Sequence, residues 1–249
     1  MQFVFLAIWS SLTALAGGSF DHSHAQLDAL WSNSASSAGV DYGYLQQNRA
    51  ALDSYVQSLA TAPVSEFTRD QKIAFWVNAY NALTVQLILD EKTPKSIMDL
   101  DGGKVWDTRS FKVGSGSHTL NDIEHRILRP MTDGRIHAVL NCASKGCPPL
   151  ASKPIRSQSV DAQLTEGARH WVRTNAVKLQ GSSVSVSQLF DWFADDFVQW
   201  RPHAPDTMND KHRGAIGFLK AFGDDALKQK LTQVGSVTYH TYDWSLNSR

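Results

Sequence analysis

The chain has 249 residues, 24 basic and 24 acidic side chains, and two cysteines. It is long enough to bury a real core, and 42% hydrophobic with 19% charged residues excludes disordered, collagenous and coiled-coil classes. Zero formal charge and the lack of a Lys/Arg-rich run give no reason to expect nucleic acid, and two cysteines cannot form a disulfide framework.

Residues 1–16 carry no charged side chain, are apolar from Phe3 to Trp9, and end in Ala14-Leu15-Ala16. This small-x-small ending predicts a cleaved secretory signal, a mature domain over 17–249, and a secreted or luminal location. The alternative is a buried N-terminal helix. No later run reaches the length that spans a bilayer, so no stable membrane insertion is expected once the signal is removed.

Asp21-His22 reads as the cap of a first helix. The spacing of Leu45, Leu52, Val56 and Leu59 predicts a helix over 44–60, ended by Pro63. Thr68 and Gln71 form a capping box for a helix to about Glu91. Its apolar residues cover most of the circumference, so it belongs at the centre of the core. Residues 110–113 and 118–120 flank a Gly-Ser turn and predict a hairpin, followed by a short helix to Leu128 capped by Asn121 or Thr119. Arg135 to Asn141 reads as a strand. A helix over 160–173, a hairpin over 177–186, helices near 188–197 and 211–231, and a closing strand over 237–244 complete the chain. Without a βαβ rhythm, this predicts an α+β, mainly helical single domain with a small antiparallel sheet.

Chemistry concentrates in Arg135 to Pro149, which holds both cysteines. A thiol nucleophile needs a base, a group orienting the base, and donors for an oxyanion. Cys142 is the candidate nucleophile and His137 the nearest base, with His125 the alternative. Glu124 could hold either ring, and the N–H groups of Ala143 and Ser144 could face an oxyanion. In a regular strand His137 and Cys142 face opposite ways, so a bulge or the strand's end must redirect Cys142. Spacing leaves three readings of the cysteines open: nucleophile, a Cys142–Cys147 disulfide, or inert core.

Several motifs resemble the domain-of-unknown-function family 547, DUF547. They are Phe75-Trp76-Val77-Asn78-Ala79-Tyr80-Asn81-Ala82, Thr119 to His125, Arg135-Ile136-His137 through Cys142 to Cys147-Pro148-Pro149, Leu189 to Phe193 with Asp196-Phe197, and Tyr242 to Asn247. The likeness runs over about residues 20–247. It implies similarity to thiol hydrolases with a Cys, His and Glu constellation, here Cys142, His137 and Glu124. A papain-like arrangement is one form such a fold could take. Ala138 and Gly146 depart from the family pattern, which is expected to loosen packing near the site.

Asn78 and Asn81 share a face of the central helix. Their amides could orient a base or bind substrate, or be consumed by loop backbone, the commoner outcome. Asp21, His22 and His24 do not make a metal-ligand set, and no cofactor motif occurs. The expected function is a cysteine-nucleophile hydrolase or acyl transferase acting on an amide or ester of a small molecule or peptide. The alternatives are a non-catalytic binding module of the same fold, or a thiol–disulfide protein using Cys142 and Cys147.

Overall fold

The cap of the first helix is His24 and not Asp21-His22, although the Asp21 carboxylate accepts the N–H groups of Ser23 (2.9 Å) and Ala25 (3.2 Å) just before it. The helix is α1, Ala25–Ser34. The structure is a computed structural model that describes residues 20–181 and 183–249. The apolar leader read as a secretion signal lies outside them.

A short hairpin of β1 (Ala35–Ser36) and β2 (Gly39–Val40) leads to α2 (Tyr42–Gln47) and α3 (Arg49–Ala60). The sequence suggested one helix here. Asn48 leaves the helical region and turns its amide back onto the Tyr44 carbonyl, which splits it in two.

The central helix is α4, Arg69–Asp90. Thr68 and Gln71 exchange both hydrogen bonds of the capping box. Every residue from Ile73 to Val85 is buried, so α4 needs neighbours on all sides. It is packed by α3, by a turn over Asp122–Leu128, and by later helices.

After α5 (Val105–Thr108), β3 (Ser110–Val113) and β4 (Gly116–Thr119) form the expected hairpin. Thr119 and Asp122 then exchange hydrogen bonds and cap the next turn. That turn is π-helical over Asp122–Leu128 and runs into α6, Arg129–Met131. Then come α7 (Val160–Thr174), β5 (Val177–Gln180), β6 (Ser183–Val186) and α8 (Leu189–Trp192), followed by a 3-10 stretch to His203. The long helix expected over 211–231 breaks at Gly223 into α9 (Asp210–Phe222) and α10 (Asp225–Leu231). In α9, a Cβ on Gly217 would stand 1.8 Å from the Trp200 carbonyl, so only glycine lets this helix seat on the 3-10 stretch.

The chain closes with β7, Ser236–Tyr239, shorter than the strand expected over 237–244. It lies parallel to β6, while β5 and β6 are antiparallel, so the sheet is mixed and not purely antiparallel. Three α-helices, α8, α9 and α10, intervene between β6 and β7, and such a crossover brings the chain back in the same direction. The whole is a mainly helical α+β fold. Among the described residues no helix is long and apolar enough to cross a membrane.

The strand expected over Arg135 to Asn141 is absent. Gly134–Ala138 form a 3-10 turn, capped by the Asp133 carboxylate on the Arg135 N–H (3.0 Å). Among the described residues no strand pairs with 139–141. The Asn81 side chain takes a strand's place, donating to the Val139 carbonyl (2.9 Å) and accepting from the Asn141 N–H (2.9 Å). Asn78 does the same for both backbone groups of Ile155 (2.7 and 2.9 Å). Both amides therefore serve loop backbone rather than a substrate.

The core has two clusters. One surrounds α4; the other joins α7, β6, α8 and α9 through Trp171, Phe190, Phe197 and Phe218. The segment 134–142 passes between them: Ala138 belongs to the second, Val139 and Leu140 to the first.

His24 gives this fold a pH dependence. It is buried, with Nδ1 2.9 Å from the Tyr55 hydroxyl. Burial, aided by His22 and Arg156 and opposed by Asp21, pushes its pKa down to about 4. The unfolded ring protonates near pH 6.5, so the full stability contribution is present above that value. It is lost as pH falls from 6.5 to about 4, by about 3 kcal/mol in all, and no further below. Melting curves of the parent and His24→Gln should therefore converge as pH is lowered through this window. A constant gap would show that the ring is already protonated in the native state.

Candidate active site

A cleft of about 230 Å³ opens where the two clusters meet. Glu124 and His125 reach it from the π-helical turn, His137 and Leu140 from the inter-cluster segment, and Cys142 and Cys147 from the loop beyond. The sequence-predicted site residues thus come together, except Asn78 and Asn81, which hold the backbone behind it.

His137 is buried and lies between two carboxylates. Its Nε2 is 2.7 Å from Asp196 Oδ2, while Nδ1 is 3.7 Å from Glu124 Oε1, too long for a hydrogen bond. The neutral ring therefore carries its proton on Nε2, donated to Asp196, and keeps a lone pair on Nδ1. The Phe193 ring stacks on the imidazole at 4.2 Å. Asp196, not Glu124, fixes the ring. Arg129 clamps Asp196 with two hydrogen bonds, of 2.6 and 3.1 Å. Burial opposes the Asp196 charge, but the bonds from His137 and Arg129 outweigh it and hold its pKa down to about 2.

Glu124 accepts from the Tyr80 hydroxyl (3.1 Å). Burial, with the Glu124 charge beside it, pushes the Tyr80 pKa well up, so this donor keeps its proton. His125 accepts from Arg129 at Nδ1 (2.8 Å). Arginine can only donate, so the neutral His125 ring carries its proton on Nε2 and is occupied as a base.

The two sulfurs are joined as a Cys142–Cys147 disulfide, with Cα atoms 6.2 Å apart. Cys142 is half-buried, and its Sγ lies 3.1 Å from the Tyr242 hydroxyl and 3.2 Å from Ser144 Oγ. No hydrogen bond joins it to His137 among the described residues. Ser144 donates to the Tyr242 oxygen (3.0 Å), which leaves the Tyr242 proton free to point at sulfur. Burial raises the Tyr242 pKa, so that proton stays in place. The expected oxyanion donor Ala143 is not available: its N–H bonds Asn141 Oδ1 (3.1 Å).

The chain's end holds this loop. Lys145 and Gly146 donate to the carbonyls of Ser245 (2.9 Å) and Asp243 (2.8 Å), and Asn247 Nδ2 donates to Asn141 Oδ1 (3.0 Å). Gly146 does not loosen the site. A Cβ there would stand 2.9 Å from the Tyr242 ring, so glycine is what lets that ring approach the sulfur.

Asp196 and Tyr242 carried no role in the sequence reading. Their signal was membership of the motifs ending in Asp196-Phe197 and beginning at Tyr242, polar groups set among aromatic residues.

No curated protein and no solved structure matches the chain. A family profile does match, over residues 64–172. That span is shorter than the 20–247 over which the motifs read. It includes Asn78, Asn81, Glu124, His125, His137 and both cysteines, but neither Asp196 nor Tyr242. Residues 64–172 match the family described as Protein of unknown function, DUF547.

Proposed function

We propose that the protein is a cysteine-nucleophile hydrolase or acyl transferase for an amide or ester, with the disulfide as its resting state. The observation that carries this is the His137–Asp196–Arg129 chain on the wall of the cleft that Cys142 also lines. An imidazole with one nitrogen locked on a clamped carboxylate and the other unbonded is an oriented base. In the reduced protein, Cys142 gives its proton to His137 Nδ1, and its sulfur attacks the acyl carbon. The imidazolium then sits between Asp196 and Glu124, and the Tyr242 hydroxyl is the donor nearest the new charge. The leaving group takes the proton from Nδ1, and water or a second nucleophile releases the acyl group. This chemistry asks for no papain-like architecture, since Cys142 stands in a loop where no helix begins. A secretory location, suggested by the apolar leader, favours the oxidised pair.

The test is acylation by p-nitrophenyl acetate before and after treatment with a dithiol. Reduction should create a burst of one acyl group per chain, placed on Cys142 by peptide mapping and absent in Cys142→Ser. A reduced protein that alkylates like a free thiol, at rates unchanged by His137→Ala, would end this reading.

A second reading has its own support: the bonded sulfurs face a cleft, as those of a thiol–disulfide protein would. Oxidation of a dithiol peptide by the resting protein, without ester turnover after reduction, would select it. The spacing differs from the usual Cys-x-x-Cys redox pair.

A further inference from the structure

The outer wall of the same cleft is aromatic. Trp244 is its centre, 5.9 Å from Trp106, 5.8 Å from Trp192 and 4.5 Å from Tyr242. Trp192 is 46% exposed, an unusual place for so large an apolar ring. Two carboxylates share the cleft, Glu124 inside and the exposed Asp107 beside Trp106. Among the described residues Asp107 has no ion-pair partner, and no Lys or Arg lines the cleft.

We infer that this wall binds an alkylated ammonium group, and that the substrate carries one. The substrate half rests on the reading of the cleft as an acyl-transfer site; the binding half stands on the wall alone. An anion would meet two carboxylates. A purely apolar ligand would cover Asp107 without pairing it, which costs free energy. A cation pairs with Asp107 and is favoured by the Glu124 charge in the same cleft, and indole faces are the best aromatic partners for it. The alkylated form fits better than a bare primary ammonium. It is weakly hydrated, so it leaves water easily, and its methyl groups bury against the rings. A cleft of about 230 Å³ admits a head group of this size and not a folded partner.

The test uses the oxidised, resting protein, so no turnover is involved and its result is independent of the acylation assay. Choline and its neutral isostere 3,3-dimethylbutan-1-ol are titrated against tryptophan fluorescence and by calorimetry. Choline should bind about ten-fold more tightly than the isostere, a preference that narrows with salt. Trp192→Ala should weaken choline about ten-fold while leaving the melting curve near that of the parent, because the ring is half exposed. Asp107→Asn should weaken choline several-fold and leave the isostere unchanged. Equal binding of the two probes, no binding of choline, or preference for a neutral disaccharide such as cellobiose would each overturn the inference. The last outcome would mark the indoles as a sugar-stacking platform instead.

Discussion

Trp171→Ala is expected to lower stability by about 3–5 kcal/mol, whereas Trp171→Phe should lose less than half of that. Trp171 is fully buried, stacks on Phe190 at 4.8 Å, and meets Phe218 at 5.6 Å. Truncation to alanine removes the centre of the second cluster and leaves a cavity that the rings around it cannot fill. Phenylalanine keeps most of the buried area. It also removes the indole N–H, which is buried without an acceptor among the described residues, so no hydrogen bond is lost. For a chain of this size the alanine variant should melt roughly 10 °C lower. Equal losses for the two variants would mean that the N–H does have a partner. No loss for alanine would mean that the second cluster does not unfold with the first. The readout extends to the site, because Phe197 packs on this cluster and Asp196 precedes it.

What the sequence made legible was mostly local. The Thr68–Gln71 box and the apolar circumference of α4 need only neighbouring residues, and both are present. Asn78 and Asn81 stood out as a polar pair in an apolar helix. Their partners, Ile155 and the backbone around Leu140, lie far along the chain and gave no local sign. The same pairing explains the missing strand. Residues 135–141 are β-formers, but strand character needs a neighbouring strand, and what lies beside them is the Asn81 amide. Candidate site residues were legible where chemistry is written in one short segment, as for His137, Cys142 and Cys147. Asp196 and Tyr242 are 59 residues from His137 and 100 from Cys142. Only the folding of the second cluster onto the first brings them in. The orienting role therefore fell to Glu124, beside His125 on the preceding short helix, when the fold gives it to Asp196.

That reassignment makes the largest expected effect on chemistry a test of Asp196 against Glu124. In the pre-reduced protein, Asp196→Asn should slow acylation of Cys142 about 10²-fold or more. Asparagine is nearly the same size, so the loss has two electrostatic causes. The imidazolium formed when Cys142 is deprotonated loses its bonded anion, and the Arg129 charge, no longer neutralised, repels it. An asparagine amide can also present N–H to Nε2, which favours the tautomer with its proton on Nδ1 and removes the lone pair the thiol needs. The pH midpoint of iodoacetamide alkylation at Cys142 should rise, because the thiolate is no longer paired with a stable cation. Glu124→Gln should slow acylation less, since at 3.7 Å that carboxylate supports the charge without fixing the ring. The unfolding midpoints of both variants are measured alongside, so that a loss of fold is not read as a loss of base. If Glu124→Gln is the slower variant while Asp196→Asn keeps the parent's pH profile, Glu124 is the orienting group. His137 then works through Nδ1 to Glu124, and its proton acceptor becomes Nε2.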